Sequence, residues 1–576
     1  MLNSIKLSKE VKYLAMLGIV LLILVYFFRI KDKNWQNVMV YDPTGYYTYL
    51  TSLFIENDIT VVNDDMIYVR ELNGKKYNKF TYGMALIYSP FFLTAHAITK
   101  FTNFESDGYS LPYILLICSG AILYLLIGFW YLIQLLKTYE LSDFAIWLTI
   151  LLLLIGTNLL IFSVKFGSSP HVYSFVFIAG FLYYIRKYFL SSKSKYLIFA
   201  AIFFTIVFLI RPFNALIITA VPILMATDFL SGVRQLLRSW KYLILGSVIF
   251  LAGISIQLYV WYLQTGEVIL YAYSDEGFYF NKPQIFNVLF SFNAGMFVYS
   301  PILLLSLFGL IFMYKRNKQL ALFWLLSFSV VIYFISSWWS WNYVGSFGIR
   351  AMIDFYAIFS LPLAFLLDQN KQWRQIIVLP LCGIFLCLSV IQNYQFHKNI
   401  YHKYSMNFEK YWFNFLKLSD KYVNTLGGSL DLPPYSKNAM SEVFYYKCND
   451  EKNEKGEHVI QNEFNCTAYV EKGTIPYRKK LLFIEVWLDR MDLTQDASKD
   501  AMLVIDYSSE NELRMYLPVL LNDIPKNKKD EWKSYYYTFT VQEPKPDESI
   551  KVYIWNKEKK EFLVKNYIVK ISTVNN

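Results

Sequence analysis

Five polar residues stand at the edges of long apolar segments, where a charged side chain is costly unless it has a partner or a task. They are Asp42, Lys79, His171, Arg211 and Arg350. Lysine and arginine bind phosphate, histidine exchanges protons near neutral pH, and a carboxylate accepts a proton. Each residue also has a purely structural interpretation, so the chemistry has to be weighed position by position.

Asp42 lies in the stretch VYDPTGYYTYL, about a dozen residues after the first apolar run. An aspartate followed by Pro43 is typical of a helix start, with the carboxylate as cap and the proline in the first helical position. A cap position does not exclude a chemical role for the same carboxylate. Both interpretations of Asp42 therefore stay open at this point.

Two of the cations have competing interpretations. Lys79 opens KFTYGMALIYSPFF, where it can extend to the headgroups of the bilayer or bind a lipid phosphate. Arg70, Lys75 and Lys76 lie nearby and favour an anionic headgroup. Arg211, in LIRPFN, needs an anion or a group of carbonyls, and its structural alternative is an ion pair with an acid of the first loop.

Aromatic stretches accompany the remaining candidates. SSWWSWNYVGSFGIRAMIDF holds Arg350 close to three tryptophans, and tryptophan faces stack on sugar rings while arginine binds phosphate in a bidentate manner. GSSPHVYSF places His171 at the mouth of a predicted span. YAYSDEGFYF carries Asp275 and Glu276, which we interpret as solvated loop charges.

Composition decides which elements must position these residues. The chain of 576 residues is 55% hydrophobic, 19% aromatic and 17% charged, whereas soluble proteins carry about 25% charge. Apolar runs long enough to cross a bilayer recur, so the sequence predicts a polytopic α-helical membrane protein. The net charge of +11 is assigned to cytoplasmic loops, since no motif supports nucleic-acid binding. We find no ATP-binding loop, zinc motif or nucleophile elbow.

Basic clusters in short loops predict the topology, because lysine and arginine collect on the cytoplasmic side. The predicted cytoplasmic clusters are Lys6 to Lys12, Arg186 to Lys195, Arg234 to Lys241, Lys315 to Lys318 and Lys371 to Arg374. The first apolar run, Val11–Phe28, is too long for a signal-peptide core and is predicted to be an uncleaved span. A re-entrant or interfacial element is predicted at 82–99, because Pro90, His96 and polar flanks interrupt it.

The remaining apolar segments give about eleven predicted spans, with the amino terminus inside and the carboxyl terminus outside. After Val11–Phe28 they are Pro112–Leu136, Phe144–Ser163, His171–Tyr184, Tyr196–Ile210, Phe213–Phe229, Tyr242–Tyr262, Gly295–Tyr314, Leu320–Ile335, Ala351–Leu367 and Gln375–Ile391. The long segments between them, including the first loop at 30–81, then face outward. All five polar candidates lie at that face.

Three regions are predicted along the chain: a membrane domain at 1–393, a linker at 394–438 and an extracytoplasmic domain at 439–576. The last region alternates apolar and polar residues in short runs separated by turn residues, as strands of an all-β sandwich do. The predicted strands are Lys480–Asp489, Ala501–Ser509, Lys533–Val541, Ser549–Asn556 and Phe562–Ser572. Cys448 and Cys466 form a disulfide or are two free thiols, and the sequence leaves both open.

The ordered set of motifs resembles the GT-C superfamily of integral membrane glycosyltransferases, in particular its protein mannosyltransferase and aminoarabinose transferase branch. The stretches that carry the resemblance are YDPTGYYTYL, SPHVYSF, YSDEGFYF and SWNYVGSFGIRAMIDFY, which also look like those of bacterial family-39-like enzymes. Lys79 matches the first-loop Lys-Pro-Pro element without its prolines. His171 stands where the branch often has an aspartate. The β-rich tail looks loosely like jelly-roll carbohydrate-binding modules.

The resemblance implies transfer of a sugar from a polyprenyl-phosphate donor to a glycan, lipid or protein acceptor. Asp42 would be the general base, and the phosphate would be bound by Lys79, Arg211 and Arg350. The residues expected to position donor or acceptor are Tyr46, Tyr82, His171 and Trp341. No acid cluster requires a metal, and metal dependence is left open.

The expected location is the bacterial inner (cytoplasmic) membrane, with transfer on the outer face toward the cell envelope. The partners are then the lipid-linked donor, the acceptor and membrane lipids. Two alternatives from other classes remain: a transporter or flippase of lipid-linked sugars, and a non-catalytic scaffold for envelope assembly. A transporter is expected to show internal repeats, and we find no clear repeat between the halves.

Overall fold

The computed structural model describes residues 8–31, 35, 38–39, 42–62, 68–273, 276–343, 345–369, 371–403, 406–423, 426, 440–474, 481–494, 501–508, 513–521, 529–542 and 547–574. The chain divides into two compact units. One comprises Met1–Tyr343 with Gly348–Val390, and the other comprises Val344–Phe347 with Ile391–Asn576.

The first unit is helical. Its α-helices are α1 (Lys9–Tyr26), α2 (Asp42–Phe54), α3 (Gly83–Thr99), α4 (Leu111–Lys137), α5 (Asp143–Ile155), α6 (Leu159–Val164), α7 (Pro170–Ser191), α8 (Lys195–Ile210), α9 (Phe229–Arg238), α10 (Trp240–Thr265), α11 (Ile285–Phe290), α12 (Met296–Tyr299), α13 (Leu304–Arg316), α14 (Lys318–Ser337), α15 (Tyr356–Leu367) and α16 (Leu379–His397), the last of which continues into the second unit. The 3₁₀ helices are Pro212–Leu224, Pro301–Leu303 and Arg350–Phe355. Short π-helical turns occur at Phe27–Lys31 and Arg374–Val378.

Six helices in the described part of the chain are long and apolar enough to cross a membrane. They are Lys9–Ile30, Leu111–Lys137, Trp240–Thr265, Lys318–Ser337, Arg350–Leu367 and Arg374–His397. A seventh is present if Pro212–Leu224 and Phe229–Arg238, which meet at 111°, form one broken span. The polytopic membrane fold is confirmed, whereas the count of about eleven spans stays a prediction.

Breaks inside predicted spans account for much of this difference. The predicted span Phe144–Ser163 is divided at Gly156 into α5 and α6. The predicted span Gly295–Tyr314 is interrupted at Pro301, which lacks the amide hydrogen that a continuing helix needs. The predicted break at Arg211 is present, since α8 ends at Ile210 and a 3₁₀ helix begins at Pro212. Hydropathy detects the apolar segments, but proline and glycine decide where the helices end.

One small sheet belongs to this unit. Strands β1 (Val69–Leu72) and β2 (Lys75–Asn78) form an antiparallel hairpin in the first loop. Directly after it, Gly83 opens α3 in a position where a Cβ atom would lie 2.3 Å from the Leu209 carbonyl. The absence of a side chain at Gly83 therefore lets the hairpin and α3 pack against the end of α8.

The second unit contains α17 (Phe408–Asn414) and an all-β region, as predicted. Its strands are β3 (Met440–Lys447), β4 (His458–Ile460), β5 (Phe464–Val470), β6 (Leu481–Asp492), β7 (Met502–Ser508), β8 (Leu513–Leu520), β9 (Trp532–Gln542), β10 (Ser549–Trp555) and β11 (Phe562–Val574). The sheets have the orders β5-β10-β7-β8 and β3-β11-β6-β9, with β4 paired to β11. All of these pairings are antiparallel, and apolar residues of both sheets share one core.

The cysteines of the second unit form a disulfide between Cys448 and Cys466, which decides the alternative that the sequence left open. His458 lies close to both sulfur atoms and could complete a metal-ligand group with them. The thiolates that would bind a metal are consumed by the disulfide, so we assign these residues to the stabilisation of the β region.

Candidate active site

The carboxylate of Asp42 is bound to Arg350 in the first unit. Asp42 is the first residue of α2, and Arg350 is the first residue of the 3₁₀ helix Arg350–Phe355. Arg350 Nη2 donates to Asp42 Oδ2 at 3.0 Å. The two side chains are 26% and 36% exposed, so the pair is within reach of solvent.

The first turn of α2 is held in place by Asn78 of the hairpin and by residues on either side of the hairpin. The Asn78 side-chain amide donates to the Gly45 carbonyl at 2.6 Å. A Cβ atom at Gly45 would lie 2.6 Å from the side chains of Phe80 and Tyr68, so this close approach requires glycine. The Tyr46 ring stacks on Phe80 with centroids 4.2 Å apart. The sequence DPTGYY therefore fixes the direction of Asp42 through both the helix start and the glycine contact.

A fully buried carboxylate, Asp354, joins two of the predicted residues. His171 Nδ1 lies 2.7 Å from Asp354 Oδ1, and Arg211 Nη1 donates to Asp354 Oδ2 at 2.7 Å. Arg211 Nη1 also lies 3.1 Å from His171 Nδ1. The Asp354 side chain is 0% exposed and that of Arg211 is 16% exposed. The structural alternative of an ion pair for Arg211 is thus correct, although the acid comes from the Arg350–Phe355 helix and not from the first loop.

A second carboxylate, Glu276, binds two cations of the first loop. Lys79 Nζ donates to Glu276 Oε1 at 2.7 Å, and Arg70 donates to the same oxygen. The Lys79 and Glu276 side chains are only 5% and 6% exposed. Our interpretation of Glu276 as a solvated charge was therefore wrong, because two cations of the first loop compensate its burial. The neighbouring Asp275 lies outside the described residues.

Three tyrosines lie between these ion pairs. Burial raises the pKa of Tyr46 well above its ordinary value, and Tyr273, Arg211 and Asp42 are among its electrostatic neighbours. Burial also raises the pKa of Tyr273, which has Arg211, Asp42 and Glu276 as neighbours, and Lys79 Nζ lies 5.4 Å from its ring centroid. These hydroxyls stay protonated at neutral pH and can donate hydrogen bonds to an anion.

The third tyrosine, Tyr343, lies next to Arg350. The Arg350 guanidinium lies 5.9 Å from the centroid of the Tyr343 ring, and the Tyr343 hydroxyl is within hydrogen-bonding reach of Arg211. Its backbone adopts the left-handed region at φ 48°, which is uncommon for a residue with a side chain. The tyrosine thereby links the pair of Asp42 and Arg350 with the group around Asp354.

The structure brings most of the predicted residues together. Asp42, Arg350, Tyr46, Arg211 and His171 are connected through the contacts above, and Lys79 joins them through Tyr273.

Two predicted residues lie elsewhere. The Tyr82 hydroxyl donates to the Gly253 carbonyl at 3.1 Å and its amide to Gln257, so Tyr82 packs against α10. Trp341 lies in the turn after α14, half-buried and two residues before Tyr343.

Sequence reasoning missed Asp354, Tyr273 and Tyr343. A signal for Asp354 was present, since it is an acid inside the predicted span Ala351–Leu367, and an ionisable residue in a span is a functional candidate by default. Nothing in the local sequence distinguishes Tyr273 or Tyr343 from the other tyrosines of this aromatic chain. Their proximity to the ion pairs depends on the packing of distant segments.

The sequence matches no protein-family model, and no curated protein matches it. Among solved structures, the apo crystal structure of an oligosaccharyltransferase from Archaeoglobus fulgidus matches with a TM-score of 0.38 and 12% identity, over 72% of this chain and 60% of that chain. The arabinosyltransferase EmbB from Mycobacterium smegmatis matches with a TM-score of 0.35 and 13% identity, over 100% of this chain and 66% of that chain.

The chain is similar to two glycosyltransferases of known structure. The chain spans less than two thirds of the length of either matched protein. Because both TM-scores and both identities are low, the assignment of a function rests on the residues of the site.

Proposed function

We propose that the protein is a membrane glycosyltransferase that transfers a sugar from a polyprenyl-phosphate donor to an acceptor hydroxyl on the extracytoplasmic side. The observation that carries this proposal is the accessible Asp42 carboxylate beside Arg350, within a group of buried ion pairs and tyrosine hydroxyls. An acid that accepts a proton and cations that bind a phosphate leaving group are the two requirements of this reaction.

Accessibility selects Asp42 as the base among the three carboxylates of the site. The side chain of Asp354 is 0% exposed and that of Glu276 is 6% exposed, whereas that of Asp42 is 36% exposed. Arg350 binds Asp42 Oδ2, which leaves Oδ1 for an acceptor hydroxyl at about 3 Å. Arg350 also keeps this carboxylate oriented when the acceptor is absent.

The reaction then has a simple balance. The acceptor oxygen forms a bond to the anomeric carbon as its proton passes to Asp42. The bond between that carbon and the phosphate oxygen breaks, and the lipid phosphate leaves with the electron pair. The negative charge on the phosphate grows during this step, so cations that lie close to it lower the barrier.

The charges of the site are suited to a phosphate. Four cations, Arg70, Lys79, Arg211 and Arg350, contact three carboxylates in the ion pairs described above, so several cations lie close together at this site. Arg350 is the most exposed of these cations and therefore the first that a phosphate meets. Lys79 and Arg211 are the further phosphate-binding residues in this proposal.

Sugar recognition is assigned to the aromatic residues and to His171. Tyr46 supplies a protonated hydroxyl, and Trp341 supplies a half-buried ring close to Tyr343 in the chain. His171 positions donor or acceptor from its contact with Asp354. Tyr82 keeps a supporting role, because its hydroxyl is already bound to the α10 backbone.

The direct test is mass spectrometry of lipids that co-purify with the full-length protein. A polyprenyl-phosphate sugar, together with glycosidic product formed in proteoliposomes, would support the proposal. Movement of the labelled lipid-sugar across the bilayer without product would favour a flippase instead. Co-purification of phospholipids alone, with no conversion of any polyprenyl-phosphate sugar offered, would overturn the proposal.

A further inference from the structure

An apolar groove lies between α9 and α14, and none of the residues that line it belongs to the candidate active site. Its walls are the apolar side chains of Phe229 and Leu230 from α9, and of Leu322, Phe323 and Leu326 from α14; Asp228 and Gln319 also line it. Leu230, Leu322 and Leu326 are 64%, 58% and 55% exposed. The groove is therefore open along one side and lined mainly by apolar side chains.

The groove is a fixed feature because α9 is held at both ends. The Phe229 amide donates to Gln319 Oε1 at 3.2 Å, and the rings of Phe229 and Phe323 lie 5.1 Å apart. At the other end, the Tyr188 hydroxyl donates to the Gln235 carbonyl at 2.7 Å, and the Gln235 side chain returns a hydrogen bond to the Tyr188 carbonyl.

Cations continue the exposed side of α9 beyond the groove. Arg234 and Arg238 follow Leu230 at intervals of four residues, so they share its side of the helix, one and two turns further on. Both arginines are exposed, as is Leu237 between them. The side that α9 presents to the surroundings is thus apolar at the groove and cationic beyond it.

The orientation and exposure of α9 are those expected of a helix that lies along a membrane surface. It runs at 111° to the preceding 3₁₀ helix, and α10, which follows directly, has only 11% of its apolar window buried inside the protein. Trp240, at the start of α10, is 54% exposed, which is typical of a residue at the interface between hydrocarbon and headgroups. The exposed leucines of α9 then face hydrocarbon while its arginines reach the phosphates.

We infer that the α9–α14 groove is a binding site for an anionic phospholipid. One acyl chain lies against Leu230, Leu322 and Leu326, and Arg234 binds the headgroup phosphate. Among the described residues, Asp228 is the carboxylate that lines the groove, and its Oδ1 accepts the Ser231 amide at 3.1 Å as the cap of α9. Its charge is therefore directed at the helix amides. This inference does not depend on the proposed function.

The experiment uses the full-length protein, purified with its lipids, and native mass spectrometry with dioleoyl phosphatidylglycerol or dioleoyl phosphatidylcholine. We expect phosphatidylglycerol to bind more tightly than phosphatidylcholine. We expect Arg234→Gln to weaken phosphatidylglycerol binding about fivefold, as for the loss of one basic residue at an anionic surface. Arg316→Gln is the matched control, since Arg316 is an exposed cation of the same predicted side that pairs with Glu140.

A second variant tests the acyl-chain contact. Leu326→Trp fills the groove without a change of charge, and it should weaken both lipids while Arg234→Gln affects mainly the anionic one. Equal binding of the two lipids, or equal effects of Arg234→Gln and Arg316→Gln, would overturn the inference. Binding of inorganic phosphate to the same extent as phosphatidylglycerol, measured in the same spectra, would also contradict the inference. So would a protein dimer that forms in place of the lipid complex.

Discussion

Arg350 donates a hydrogen bond to Asp42 at 3.0 Å, although the two residues are 308 positions apart in the sequence. The contact joins the start of α2 in the first loop to the start of the 3₁₀ helix that leads into α15. Half-exposed ion pairs of this kind contribute little to stability, on the order of 0–1 kcal/mol. The pair is therefore better explained by the orientation that it gives to an accessible carboxylate.

Replacing Asp42 should abolish transfer and leave the fold intact. Asp42→Asn removes the proton acceptor, and the loss of a general base lowers the rate by about 10²- to 10⁴-fold. The measurement is product formation in proteoliposomes, with the thermal unfolding midpoint measured on the same sample. Asp58→Asn is the control, because Asp58 is an exposed acid of the same loop whose side chain accepts hydrogen bonds from Thr60. Unchanged transfer by the Asp42 variant would refute its assignment as base.

Replacing Asp354 should instead destabilise the first unit. Asp354→Asn leaves the buried Arg211 without its charged partner, and breaking a buried pair costs about 3–5 kcal/mol. We expect a clear fall in the thermal unfolding midpoint in detergent, whereas the Asp42→Asn variant should keep its midpoint. The double variant Asp354→Asn with Arg211→Gln should recover part of the loss. A midpoint equal to that of the unmodified protein would contradict the structural role of Asp354.

Replacing Lys79 should raise the KM for the donor more than the KM for the acceptor. Lys79→Gln removes a buried cation next to Glu276, so the site becomes less positive and binds a phosphate less well. We expect the KM for the lipid-linked donor to rise about tenfold. Lys75→Gln in the hairpin just before Lys79 is the control, since Lys75 is exposed. The two kinetic constants should be measured separately for donor and acceptor. Equal effects of the two lysine variants would argue against phosphate binding by Lys79.

Buried tyrosines should make the protein sensitive to alkaline pH. The pKa of Tyr46 is raised above the ordinary value of 10.0 by burial, so the folded state holds this proton more tightly than the unfolded state. Its contribution to stability is fully present below pH 10 and is lost as the pH rises toward the raised value. Unfolding midpoints between pH 9 and about pH 11 should therefore fall less in Tyr46→Phe. The exposed Tyr279 provides a control in Tyr279→Phe, which should follow the unmodified protein.

Reduction of the disulfide should lower the stability of the β region. The bond between Cys448 and Cys466 closes a loop with a sequence separation of 18 residues, and loops of this size correspond to about 3 kcal/mol. The free thiols are alkylated and counted by mass spectrometry before and after reduction, and the thermal unfolding midpoint is measured on the same samples. Cys387→Ser is the control, since Cys387 is a free and exposed thiol. No change of midpoint on reduction would show that the sheets alone stabilise this unit.

The sequence by itself determined the general architecture. Long apolar runs predict membrane helices and alternating runs predict strands, because these patterns reflect which side of each element is buried. The β strands from Leu481 onward agree with the predicted runs, although β8 was not predicted. The sequence also singled out Asp42, Lys79, His171, Arg211 and Arg350, since polar residues next to apolar segments are rare enough to notice.

Only the tertiary structure decided which of these groups meet. Asp354 binds His171 and Arg211, and Glu276 binds Lys79, because segments far apart in the chain pack against one another. Such pairings depend on long-range packing, which leaves no periodic signal in a single sequence. The same packing buries Asp354 and Glu276 and leaves Asp42 accessible. That difference in burial separates the carboxylate that can act on an acceptor from those that hold the site together.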